Sequence, residues 1–486
     1  MSETKINEQT PNRTKIVATI GPASRKRKVL KELMEAGVSV FRLNFSHGTH
    51  EEHSAVLSDI RAISIEMDRQ VAVLQDLCGP KMRLGAIPGD LVDCPLGEEF
   101  ALTAERSSNS ARELTCSYRE LPNDLRPGET ILFADGAVAM MVTDTAPGRA
   151  RLNVTLPGRL RSRQGLNLPG SDLNVRSLTD KDMFDLDWTA RHSGDIDFVG
   201  LSFVRSPNDV TRLRQELRSR KCPARVVVKI ENRQAVRHLE DIIEATDVVM
   251  VARGDLGVEM EVQRVPGIQK RIIALCNQSH RPVITATQLL NSMEHSNRPT
   301  RAEASDVFNA VLDGTDAVML SGESAIGDYP VEAVSAMRQI CVEAEAYLKS
   351  HGPAPLQESG SLGALIEPIT EAAADAAHLI TERLDAPLIV VATESGRTAL
   401  ALSNRRPTAT ILALTRTEPL ARALALCWGV IPLVLPEAFS TQGKLAYGID
   451  WAKSHSLIRS GEHAVLLRGQ VAGQPTSRGV LACEIT

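Results

Sequence analysis

The stretch Arg225-Val-Val-Val-Lys-Ile-Glu-Asn232, followed one helix-length later by Val248-Val-Met-Val-Ala-Arg-Gly-Asp-Leu-Gly257, decides the architecture. Each half is a β-branched apolar run that stops abruptly on charged residues, the pattern of a strand buried on both faces whose carboxyl end opens into a polar site. Lys229 and Glu231 stand two apart, so a strand points both to the same face. Asp255 follows a glycine and starts a polar turn. A lysine between two carboxylates from neighbouring strands suggests a divalent cation held by Glu231 and Asp255, with Lys229 facing an anionic substrate. Taken alone, a Lys-x-Glu on a strand is usually a surface ion pair of little energetic weight. Here it ends a buried run and is repeated in kind on sister strands.

Working outward, Thr14–Gly21, Val38–Phe45 and Val71–Asp76 read as strands separated by helical patterns, with Ser24 as an expected N-cap and Gly37 as a helix stop. Strands are expected again at Phe198–Val204, Arg225–Glu231, Asp247–Ala252, Pro282–Ala286 and Asp316–Leu320. Eight strands, each followed by a helical pattern, predict a (β/α)₈ barrel. Most of them end in polar residues, including Arg42-Leu-Asn44, Gln75-Asp76, Thr285-Ala-Thr287-Gln288 and Ser321-Gly-Glu323, and in such a barrel these ends share one face.

Between residues 80 and 175 the helical period disappears and short strand-like runs rich in Gly and Pro replace it, which predicts a small inserted β domain. The stretch His351-Gly-Pro-Ala-Pro-Leu-Gln-Glu-Ser-Gly-Ser361 reads as a linker, and alternating strands and helices beyond it predict a separate α/β domain. The expected division is residues 1–79 and 176–350 for the barrel, 80–175 for the insertion and 351–486 for the C-terminal domain.

Bulk properties exclude other classes. The 486 residues are 43% hydrophobic and 24% charged with net charge −5, an ordinary globular composition with no whole-chain basic field for nucleic acid or anionic membrane. No window approaches a membrane span. The eight cysteines are scattered without zinc spacing and read as reduced thiols, and the polar first ten residues lack a signal-peptide core, so a cytoplasmic location is expected.

Phe41-Arg-Leu-Asn-Phe-Ser-His-Gly48, Val228-Lys-Ile-Glu-Asn232, Val251-Ala-Arg-Gly-Asp-Leu-Gly-Val-Glu259, Thr285-Ala-Thr-Gln288, Arg298-Pro-Thr-Arg-Ala-Glu303 and Ser321-Gly-Glu-Ser-Ala-Ile-Gly-Asp-Tyr-Pro330 occur in this order. In these motifs the chain resembles the pyruvate kinases. The resemblance implies a barrel with an inserted small β-barrel lid domain and a C-terminal α/β regulatory domain. It also implies phosphoryl transfer from phosphoenolpyruvate to ADP at the last step of glycolysis, in a homotetramer. Mg²⁺ (or Mn²⁺) would sit on Glu231 and Asp255. Lys229 and Arg42 would hold the phosphoryl group, the amides of Gly254 and Asp255 would seat an anion, and Thr287 would serve protonation of the enolate. Asn44, His47, Arg83 and Arg163 would contact the nucleotide. Thr393, Ser395, Gly396, Arg397 and Thr398 would bind the phosphate of an allosteric effector, expected to be a sugar or nucleotide monophosphate.

One departure stands out. Many pyruvate kinases carry threonine where Leu77 stands and glutamate where Lys81 stands, and bind K⁺ there with the counterparts of Asn44, Ser46 and Asp76. An ammonium in place of the acid implies that Lys81 supplies the missing cation and that K⁺ is not required. Two other classes share part of this pattern, a different Mg²⁺-dependent barrel enzyme and a silent metabolite sensor. The first needs no lid arginines or effector domain, and the second would have lost Lys229 or a metal carboxylate.

Overall fold

A computed structural model describes residues 12–134, 136–169, 176–351, 366–435, 441–468 and 479–485. Lys15–Ile20, Val38–Asn44, Ala72–Asp76, Phe198–Leu201, Arg225–Ile230, Val248–Ala252, Val283–Ala286 and Ala317–Leu320 form a closed, wholly parallel barrel in sequence order. Period-2 geometry sorts their side chains. Val17, Val40, Leu74, Val227, Met250 and Ile284 fill the interior, while neighbours such as Ile16, Phe41, Val73, Val228 and Val251 pack against the surrounding helices. Continuing the inward register to the carboxyl ends brings Thr19, Arg42, Asp76, Lys229 and Glu231 to one mouth. At the opposite end Ala423 and Leu426 from the C-terminal domain join the same interior cluster and plug the floor.

Side-chain caps set several helix starts. Thr49 and Thr179 close capping boxes with Glu52 and Asp182. The Thr300-Arg-Ala-Glu303 motif does the same: Glu303 caps Thr300 and also accepts from the Ser292 amide at 2.7 Å. Gly37, at φ 126°, ends its helix as expected. Ser24 does not act as an N-cap. The helix begins at Arg27 with Lys26 before it, and Ser24 Oγ accepts from the Gly21 amide instead (3.2 Å).

The insertion carries a six-stranded sheet running from Leu166–Asn167 through Thr130–Phe133, Val138–Ala146, Arg149–Leu156 and Glu99–Thr103 to Glu113–Thr115, plus a ribbon of Leu91–Cys94 with Gly158–Arg161. Among the described residues their ladders do not join. Cys94 and Leu160 of the ribbon nevertheless share one core with Phe100, Phe133 and Leu152 of the sheet. The C-terminal domain is a five-stranded sheet ordered Val430–Val434, Thr410–Thr415, Leu388–Ala392, His463–Arg468 and Gly479–Glu484, with only the last strand antiparallel. Most of the linker expected at residues 351–361 lies outside the described residues.

Buried and part-buried polar pairs fasten this domain under the barrel. Arg422 Nε donates to Asp197 Oδ1 (2.8 Å), whose other oxygen pairs with Arg61 (2.7 Å). His280 and Arg405 meet on Glu371, with His280 at 2.8 Å. Among the described residues no helix is long and apolar enough to cross a membrane.

Candidate active site

The mouth is organised around Lys229. Its ammonium lies 2.8 Å from Glu231 Oε1 and 3.6 Å from Asp76 Oδ2, and it donates to Ser202 Oγ at 3.0 Å. Asp76 Oδ2 also receives Arg42 Nε (2.8 Å), and Arg42 Nη1 donates to Thr19 Oγ1 (2.9 Å). Arg42 thus sits in a salt bridge at the barrel mouth, with its guanidinium held in plane by a carboxylate and a hydroxyl. Among the described residues Asp76 Oδ1 is buried without a hydrogen-bond partner.

Charge is shifted accordingly. Burial opposes the ammonium of Lys229, yet Asp76 and Glu231 outweigh it and hold the group above the ordinary lysine range. Burial likewise opposes the Asp76 carboxylate, but Lys229 and Arg42 keep it below the usual value. Glu231 goes the other way. Burial raises it, Lys229 offsets this only in part, and the Asp255 charge adds to the rise. Glu259 is pushed up to about 7, first by burial against the relief from Arg233, then by Asp255 and Glu231. The Asp255 charge reaches Glu231, so these two acids could share a divalent ion, although among the described residues no group of three or more potential metal ligands gathers at one point.

Asp255 lies in the short helix Arg253–Glu259. The Gly254 amide, expected to seat an anion, donates instead to Thr287 Oγ1 (2.8 Å), and that hydroxyl donates to the Ala286 carbonyl (2.7 Å). Thr287 and Gln288 both have positive φ, 65° and 55°. Strand and turn patterns gave no signal for this strained pair, because neither residue favours the left-handed region. Glu323, expected at the mouth, ties loops together by accepting from the Leu290 (3.1 Å) and Ser321 (2.7 Å) amides.

The Lys81 ammonium pairs with Asp255 Oδ1 at 3.9 Å. Among the described residues no hydrogen bond or ion pair links it to Asn44, Ser46 or Asp76, the neighbours expected from the sequence. Leu77 is buried in the apolar layer outside the barrel, so its side chain offers no ligand to the mouth. Asn44 Oδ1 accepts from the Ser46 amide (3.1 Å). Burial lowers the pKa of His47, and the charges of Arg83, Lys81 and Arg42 lower it further. In the insertion Arg83 Nη1 donates to the Arg163 carbonyl (3.3 Å), which brings both expected nucleotide contacts to one edge.

Far from the mouth, the turn at Thr393–Thr398 follows strand Leu388–Ala392. Thr393 Oγ1 accepts from the Gly396 amide (3.0 Å), and Gly396 at φ 84° starts helix Arg397–Asn404. Ser395, Gly396 and Arg397 line a cavity of about 170 Å³ shared with Arg225, His280 and Arg281 of the barrel floor. Of residues 468–478, between the last two strands of this domain, only Arg468 is among the described residues.

Comparison with known proteins gives the same answer for both halves of the chain. The family described as pyruvate kinase, barrel domain, matches residues 11–334, and that described as pyruvate kinase, alpha/beta domain, matches residues 371–481. Pyruvate kinase 2 of Synechocystis sp. is 40% identical over 98% of this chain and 79% of its own length. The pyruvate kinase of Geobacillus stearothermophilus is 39% identical over 97% and 80%. A crystal structure of a pyruvate kinase from Cryptosporidium parvum superposes with a TM-score of 0.88 at 34% identity, covering 98% of this chain and 97% of that one. With matches across barrel and C-terminal domain alike, and a lysine among carboxylates at the barrel mouth, the chain belongs to the pyruvate kinase family and is a phosphotransferase.

Proposed function

We propose that this enzyme transfers the phosphoryl group of phosphoenolpyruvate to ADP with Mg²⁺ (or Mn²⁺) on Glu231 and Asp255, and that it does so without K⁺. The observation carrying the reading is the buried Lys229, held charged by Asp76 and Glu231 at the barrel mouth. A divalent ion there would supply Lewis-acid charge to the substrate oxygens and favour the charged forms of Glu231 and Glu259, which burial first and the Asp255 charge second push toward protonation. Lys229 neutralises the phosphoryl group in flight, where positioning and charge are most of what a phosphotransferase contributes. Arg42, fixed by Asp76 and Thr19, binds the phosphate and keeps its orientation without paying side-chain entropy on binding. Thr287, with its hydroxyl set by Gly254 and Ala286, serves protonation of the enolate carbon. Asn44, His47, Arg83 and Arg163 contact the nucleotide from the mouth and the lid.

Independence from K⁺ rests on two features. Lys81 brings its ammonium within 3.9 Å of Asp255, and the Leu77 side chain lies in the apolar layer. We further propose that Thr393, Ser395, Gly396, Arg397 and Thr398 bind the phosphate of a sugar or nucleotide monophosphate activator, and that the enzyme is a homotetramer. The test is steady-state pyruvate formation from phosphoenolpyruvate and ADP with Mg²⁺, titrated with K⁺ against a bulky organic cation. Full activity without K⁺ is expected. A manyfold rise with K⁺ would remove the Lys81 reading and leave the phosphoryl transfer intact. Ser395→Ala with Thr398→Ala should abolish activation by the monophosphate, and an unchanged response would place the effector elsewhere.

A further inference from the structure

Arg253 has no role in the reading above, yet few side chains here are so fully committed. It is 7% exposed and spends its guanidinium on three elements. Nε and Nη2 donate to the Thr287 carbonyl (3.2 and 2.7 Å), and Nη2 also donates to the Gln288 carbonyl (3.0 Å). On the other edge Nη1 donates to Asp306 Oδ1 (2.8 Å) and Gln269 Oε1 (3.3 Å). The two carbonyls it gathers belong to the two consecutive left-handed residues, Thr287 at φ 65° and Gln288 at φ 55°. A β-branched residue in that region is strained and persists only where its surroundings over-determine it. One guanidinium that satisfies both carbonyls does so, since a relaxed turn would leave those carbonyls and the donors buried without partners.

The same residue sets the register of the turn against the rest of the site. Arg253 opens the helix that carries Asp255, and the next amide, Gly254, holds the Thr287 hydroxyl at 2.8 Å. Side chain and backbone of adjacent residues therefore grip Thr287 from its carbonyl and its hydroxyl together. Asp306, on helix Arg301–Leu312, anchors the guanidinium from outside the barrel.

We infer that Arg253 is a positioning residue for the protonation half of the reaction, acting through Thr287 by holding the Thr287–Gln288 turn left-handed. The inference rests on the proposed role of Thr287. In that half, C3 of the enolate accepts a solvent-derived proton and the enolate oxygen becomes the keto oxygen. A lysine at this position keeps the charge, but a single ammonium cannot span both carbonyls and Asp306 in the planar arrangement of a guanidinium.

The experiment measures kcat, the KM for phosphoenolpyruvate and, by proton NMR in D₂O with Mg²⁺ and ATP, exchange of the pyruvate methyl protons. Wild type is compared with Arg253→Lys, Thr287→Ala and the double variant, after circular dichroism has established that each is folded. Arg253→Lys is expected to slow methyl exchange and kcat at least tenfold while KM stays within threefold, a split that general loosening of the fold would not produce. In the double variant it should add nothing to Thr287→Ala, as expected of residues acting as one unit. If Thr287→Ala is slow but Arg253→Lys exchanges at the wild-type rate, or if the two losses multiply in the double variant, the clamp is refuted and the role of Thr287 stands. If Thr287→Ala exchanges normally, that role fails and the clamp falls with it. Should Arg253→Lys not fold, Asp306→Ala removes the anchor and keeps the guanidinium. It should slow exchange severalfold, and wild-type exchange would overturn the proposal.

Discussion

Replacing Lys229 with methionine removes one charge from a cluster in which Asp76 is 2% and Glu231 1% exposed. At an effective dielectric of ~20, pairs at 2.8 and 3.6 Å carry about 6 and about 4.6 kcal/mol of attraction. Most of that offsets the desolvation of three buried ions, so breaking the cluster should cost a net ~3–5 kcal/mol while both carboxylates remain charged. They need not remain so. Burial already raises Glu231, and without Lys229 it rises further. The folded variant then holds a proton that the unfolded chain releases near pH ~4.3. A group raised on folding stabilises at low pH and loses that contribution as pH climbs from the unfolded value through the folded one. Lys229→Met should therefore lie furthest below wild type at pH 8.5 and recover part of the gap at pH 5.5 in urea unfolding. The same substitution should lower kcat for pyruvate formation by ~10³ or more, the scale of a lost charge clamp on a transferring phosphoryl group. A kcat within tenfold of wild type would refute the catalytic reasoning. A stability gap that does not move with pH would refute the electrostatic one.

Other outcomes follow from the same geometry. Lys81→Glu installs the acid that the resemblance implies at a K⁺ site. Activity should then rise at least tenfold on adding K⁺, in keeping with ~1–4 kcal/mol for a unit charge at this range; an equal response to K⁺ in wild type and variant would count against it. Glu371 is held at about 2: burial favours its protonation, but hydrogen bonds from His280 and Arg405 prevail. Its contribution is present above the unfolded value and is lost as pH falls toward 2, so Glu371→Gln should cost ~1–2 kcal/mol at pH 7 and nothing in strong acid, after allowance for solvent screening. Thermal unfolding at both pH values measures this. Arg422→Met breaks the buried pair under the barrel and should destabilise by ~2–3 kcal/mol, because Asp197 keeps Arg61; a shift in the urea midpoint measures it.

The sequence by itself determined the barrel and the identity of its mouth. Eight apolar runs with polar carboxyl ends admit few other topologies, and the period-2 rule sends Lys229 and Glu231, Arg42 and Asp76 inward once the strands are known. The motifs supplied the chemistry, because a lysine, a guanidinium and paired carboxylates at strand ends have few joint uses. Tertiary structure decided what those rules do not reach. Lys81 faces Asp255, and the Gly254 amide is spent on Thr287, because these contacts join loops whose paths depend on packing rather than local pattern. Glu323 stands at a strand end that reads as part of the mouth yet serves as a loop tie, and Glu303, in one of the motifs of the resemblance, serves as a cap, a distinction visible only when their amide partners are in place. Arg253 could be seen at a strand end, but its meaning depends on two left-handed residues 34 and 35 positions away in the chain. Local propensity argues against such a conformation, and the Arg253 guanidinium and the Gly254 amide, brought there by the closed barrel, both hold it.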